Sequence, residues 1–98
     1  MKRPLLIRPE AEADIEEAYR WYEEKIGGLG ADFLECLESG MELIRNSPEM
    51  YPVVYRNIRR LLIRRFPYGI FYIASESLIT ILAVFHGRRD PKEWRSRN

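Results

Sequence analysis

A chain of 98 residues with a formal net charge of +1 has room for one compact domain, in which about 65% of the unfolded surface is buried. It has no room for a second domain, and the overall charge by itself argues against a nucleic-acid binder. One cysteine, Cys36, excludes a disulfide framework and a metal-ligand spacing and points to a reducing, cytoplasmic setting. No cofactor or metal is implied. The N-terminal segment is basic, but its apolar run, Leu5 to Ile7, is too short for a signal peptide or a membrane span, so the expectation is a soluble protein that is not exported.

Leu5-Leu6-Ile7 is a short strand closed by Pro9. Pro9 suits a first helical turn, and Glu10, Glu12 and Asp14 complement the positive helix end. Ala11, Ile15, Ala18, Tyr19, Tyr22 and Ile26 then form one stripe, which predicts a helix from Pro9 to Ile26. Gly27-Gly28-Leu29-Gly30 stops it. A second helix is expected from Ala31 or Asp32, with Phe33, Leu34, Leu37, Met41 and Ile44 on one side, Gly40 allowing close approach of a neighbour, and Ser47-Pro48 as the stop. Tyr19, Tyr22 and Phe33 read as core, and Glu16, Glu17, Glu23 and Glu24 as an exposed helix face rather than an acid-base pair or metal site.

From Ile58 the period changes. Ile58 to Phe66, Gly69 to Ala74 and Leu78 to Phe85 read as strands separated by Pro67-Tyr68 and Ser75-Glu76-Ser77. Short connections make them antiparallel. The expected order is strand, helix, helix, strand, strand, strand: a single α+β domain over residues 1–98, with a helical hairpin on a mainly antiparallel sheet. In the last two strands only Gly69 and Thr80 are not apolar, so both sheet faces need cover. One hairpin covers one face; the other requires the chain's ends, a second copy or a partner, and the expectation is a partner, with self-association in its absence.

Charge is unevenly placed. Residues 10–49 hold twelve acidic and three basic side chains, and residues 50–98 hold three acidic and ten basic. Either the basic half faces an anionic partner, or the opposite charges offset each other across the fold. The segment Arg64 to Trp94 concentrates the candidates. His86, the only histidine, could serve as a general acid or base, and Arg64, Arg65, Arg88 and Arg89 could hold a phosphate. Against chemistry stands Asp90, which would repel a phosphate, and no catalytic residue is assigned. A turn scaffold accounts for His86 to Pro91 equally: Gly87 permits a bend, Asp90 accepts backbone hydrogen bonds, Arg88 or Arg89 pairs with Asp90 or the acidic first helix, and Pro91 begins a short helix through Trp94. Arg59 and Arg60 with Arg64 and Arg65 read as a solvated strand face that also meets an anionic partner.

Arg64-Arg65-Phe66-Pro67-Tyr68, Tyr72 and the stretch Ala83 to Pro91, together with Ala13 to Tyr22 and Ser47 to Pro52, resemble the ParE branch of the RelE/ParE toxin superfamily. The resemblance spans nearly the whole chain. It implies the toxin of a type II toxin-antitoxin (plasmid stabilisation) module, acting in the cytoplasm by binding DNA gyrase and neutralised by a cognate ParD-like antitoxin. A RelE-like, ribosome-dependent messenger RNA endoribonuclease is the alternative, and an inactive or regulatory member is the second. The target- or antitoxin-binding candidates are Arg64, Arg65, Tyr68, His86, Arg88, Arg89 and Trp94, and direct nucleic-acid binding stays open.

Overall fold

Strand, helical hairpin and sheet follow in the expected order, with the short helix expected from Pro91 at the end and one unexpected strand. The computed structural model describes residues 2–98, and Met1 of the basic N-terminal segment lies outside the described residues. The elements are β1 (Leu5–Ile7), α1 (Pro9–Lys25), α2 (Leu29–Asn46), β2 (Val53–Tyr55), β3 (Ile58–Leu62), β4 (Tyr68–Ala74), β5 (Ile79–His86) and α3 (Pro91–Arg95). The sheet order is β1-β5-β4-β3-β2. β1 runs parallel to β5 and every other pair is antiparallel.

Pro9 opens α1, and Glu10 and Glu12 lie in its first turn. α2 begins at Leu29, before the expected Ala31, because Glu23 reaches across the hairpin. Its Oε2 accepts from the Gly28 amide and its Oε1 from the Gly30 amide, both at 2.9 Å. A carboxylate there satisfies orphan donors and opposes the positive helix end. Glu23 is therefore a hairpin clasp, not part of a solvated face. Gly28, at φ 92°, supplies the left-handed turn. Further along α2, a Cβ on Gly40 would meet Ile70 Cδ1 and Leu61 Cδ2 at 3.0 Å, so the glycine lets the helix approach the sheet.

β2 has no counterpart among the expected strands. It is three residues long and turns into β3 through Arg56-Asn57, with Arg56 at φ 51°. Hairpins of this length normally advertise themselves by Asn-Gly or Asp-Gly. Arg59 helps to hold the approach to β2, donating to the carbonyls of Glu49 and Tyr51 at 3.0 and 2.6 Å, and so is more than a solvated strand residue. β3 ends at Leu62 rather than Phe66, since Arg65 takes a left-handed φ of 69°.

The helices cover one sheet face, where Phe33, Leu37, Ile44, Ile70, Tyr72, Ile81 and Val84 form the main core. The opposite face is covered by the chain's own C-terminal end: Ile58, Phe71, Leu82, Ala83 and Phe85 form a second core with Trp94 of α3. Trp94 stacks on Phe71 with centroids 4.4 Å apart. The expectation that a partner or second copy covers this face is thereby corrected; the short terminal helix does so, and the premise for self-association is removed.

Tyr72 is fully buried, and its hydroxyl donates to the Pro48 carbonyl at 2.7 Å. Burial, opposed by the nearby Arg59 cation, pushes the phenol's pKa up to about 12. The folded value exceeds the unfolded one of about 10, so its stabilisation is complete below pH 10 and is lost as pH rises from about 10 to 12. Tyr72→Phe should lower stability by about 1 kcal/mol at pH 7 and flatten the alkaline loss. Urea unfolding at pH 7 and 11 checks this, and an unchanged alkaline loss would contradict it.

Candidate functional site

The largest concavity, about 810 Å³, lies between α1 and the paired ends of β4 and β5. Its lining includes Glu16, Glu17, Arg20, Trp21 and Glu24 from α1, with Pro67, Tyr68 and His86 opposite. His86 reaches this side of the sheet through a β-bulge. Phe71 pairs with Ala83 while Tyr72 pairs with Ile81, leaving Leu82 as the extra residue. Before the bulge Ile79 and Ile81 face the helices; after it Val84 does, while Leu82, Ala83 and Phe85 join the opposite core. The phase change carries His86 to the helical side.

Tyr68 and His86 are register partners, and their rings meet edge to face with centroids 5.4 Å apart. His86 Nδ1 accepts from the Arg88 amide at 3.0 Å. Burial above all, then the neighbouring Tyr22 and the Glu17 carboxylate, raises the Tyr68 phenol above its ordinary value, opposed by Arg89.

The arginines lie elsewhere. Arg64 and Arg65 flank a separate groove of about 290 Å³ between α2 and β3, with Asp32, Leu43 and Leu62 among its other residues. Arg65 lies 3.6 Å from Asp32. Arg89 pairs with Glu93 at 2.7 Å and lies 4.3 Å over the Phe85 ring, so it reaches neither Asp90 nor the acidic first helix. Asp90 instead caps α3, accepting from the Lys92 amide at 3.0 Å. Trp94 is 6% exposed in the second core, where its ring packs inward. Arg88 is exposed. Only Arg65–Asp32 and Arg97–Asp14 join the basic half to the acidic half by ion pairs among the described residues, and most of the charge separation persists on the surface.

Residues 5–91 match the family described as the ParE toxin of the type II toxin-antitoxin system parDE. The chain belongs to this ParE toxin family. It is 27% identical over 95 residues to the Toxin ParE2 proteins of Mycobacterium tuberculosis strains CDC 1551/Oshkosh and ATCC 25618/H37Rv, over 93% of this chain and 88% of each relative. A solved structure described as the chromosomal ParDE TA system from P. aeruginosa superposes with a TM-score of 0.77 at 18% identity, covering 87% of this chain and 96% of that one. This likeness carries the α+β fold.

For a ParE-family chain the arrangement has a chemical consequence. Phosphodiester cleavage needs an acid or base beside cations that stabilise the phosphorane. Here His86 shares its groove with Glu16, Glu17 and Glu24, whose charges repel phosphate, and Arg20, the cation among them, is paired with Glu16. Neither Arg64 nor Arg65 lines that groove. Asp14, expected to complement the end of α1, instead serves β5, and Arg97 escaped sequence reading. Asp14 Oδ2 accepts from the Val84 amide at 3.0 Å and from Arg97 Nη1 at 2.6 Å, and Arg97 also donates to the Leu82 carbonyl at 3.2 Å. These side chains satisfy the edge of β5 at the bulge that orients His86. Their 83-residue separation leaves no local signal.

Proposed function

We propose that this ParE-family chain is a growth-inhibiting toxin that binds DNA gyrase, carries out no chemistry of its own, and is neutralised in the cytoplasm by a cognate ParD-like antitoxin. The observation that carries the non-enzymatic reading is the acidic groove around His86, remote in character from a phosphate cradle. Family membership and the relatives described as toxins support the toxin assignment. No described helix is long and apolar enough to cross a membrane.

For the antitoxin, the groove between α2 and β3 offers the half-exposed Leu43 and the more exposed Leu62 beside Arg64 and Arg65. An amphipathic segment with acidic residues is complementary to that surface. Arg88, with Arg89 beside it, follows β5 at the same end of the sheet, where the Gly87 amide donates to the Pro67 carbonyl at 2.8 Å, and extends the basic docking candidates. Charge reversal of Arg64 and Arg65 together should weaken antitoxin binding about tenfold at low salt, with a smaller effect at high salt. Calorimetric titration at two ionic strengths measures it, and equal affinities would assign these arginines to bracing the turn.

The target is tested with purified protein. Gyrase supercoiling should be blocked while ribosome-bound message stays intact. Message cleavage without gyrase inhibition would replace this reading with the endoribonuclease, and no response in either assay or in cell growth would favour an inactive or regulatory member.

A further inference from the structure

We propose that the groove between α1 and the Tyr68–His86 pair is a docking surface for a cationic, partly apolar segment of a partner protein, separate from the arginine-flanked groove. The starting observation is an exposed aromatic. Trp21 is 53% exposed, although a side chain of its size normally contributes to a core or an interface. It lies in the largest concavity with Tyr68, Pro67 and His86 opposite, which gives the groove an apolar, aromatic lining.

The chemistry of the occupant follows from what surrounds that lining. Glu17, Trp21 and Glu24 follow one another at helical spacing on α1, and all three line the groove. Arg20 is paired with Glu16, whereas Glu17 and Glu24 have no ion-pair partner among the described residues. The Lys25 ammonium lies 4.8 Å from the Trp21 ring centroid, a contact between two exposed side chains that a partner's cation can replace in the geometry the ring's quadrupole favours. An arginine from a partner could stack on the same aromatic surface and meet Glu17 or Glu24, while an adjoining apolar residue packs against Tyr68 and Pro67. A nucleic-acid strand would bring phosphates against the same carboxylates. A basic peptide segment is the complementary occupant, and this assignment is independent of whether gyrase is the target.

The test uses the 98-residue chain, which has two tryptophans, labelled with 5-fluorotryptophan, and a short synthetic peptide bearing arginines and leucines. Fluorine NMR should show saturable movement of the Trp21 resonance, assigned with Trp21→Phe, and little movement of buried Trp94. Glu17→Gln with Glu24→Gln should weaken binding about tenfold, from charge pairs and cation–π contacts each contributing modestly. Glu35→Gln with Glu38→Gln, on the other helix, should leave it within about twofold, as expected for surface charges away from the contact. No binding, equal binding of a peptide with glutamate in place of arginine, or equal loss from the two double variants would overturn the proposal.

Discussion

Trp94→Ala should destabilise the protein by about 4 kcal/mol, the usual range for removing a buried tryptophan. A chain of this size is typically stable by only about 5–15 kcal/mol, so the melting temperature should fall by roughly 20 °C. The reason is particular to this sheet. Trp94 stacks on Phe71 and meets Tyr55 edge to face at 6.3 Å, closing a face whose other members include Leu82 and Phe85, which are 0% and 1% exposed. Truncating the indole opens those strands to water, and the variant should self-associate more than the native protein does. Thermal unfolding and sedimentation velocity together check both effects. A variant that stays monomeric and loses less than about 1 kcal/mol, the scale of a surface change, would show that α3 is not what closes the face.

Arg97→Ala should lower stability by about 3 kcal/mol, because it strands a largely buried carboxylate. The Arg97 and Asp14 side chains are 20% and 11% exposed, and the guanidinium also holds the Leu82 carbonyl at the bulge. Its loss leaves an unpaired charge and an unpaired acceptor beside β5. Asp14→Asn with Arg97→Met should recover part of the loss, since removing both charges is far milder than removing one. The Arg97→Ala variant should also weaken the contact between the His86 and Tyr68 rings, which depends on the phase set by the bulge, and proton NMR between the rings detects it. Additive losses in the double variant, with ring contacts intact, would reduce the pair to an incidental surface bridge.

Much of the architecture is legible in the residues. The 3.6-residue stripes define α1 and α2, turn residues separate β3, β4 and β5, and Asp90-Pro91 announces α3. What escapes has physical causes. β2 turns on Arg56-Asn57 without the glycine that usually permits its geometry. The bulge at Leu82 is invisible because Ile79 to Phe85 is almost continuously apolar, and a run without alternation does not reveal its phase. At the candidate site, the adjacency of Tyr68 and His86 follows from their places at the ends of paired strands. The arginines could not be placed in the same way, since the left-handed turn at Arg65 directs Arg64 and Arg65 toward α2, and α3 draws Arg89 and Trp94 to the opposite face.

The central claim is that this toxin acts by binding, without chemistry at His86. The most direct measurement compares growth arrest by the native protein and by His86→Ala, expressed at equal levels, with message integrity mapped in the same cells. The account predicts arrest within about threefold of native and intact message for both, a change far below the 10²–10⁴-fold contribution of a general acid or base. A folded His86→Ala variant that has lost arrest by about a hundredfold or more, together with message cleavage by the native protein alone, would contradict it.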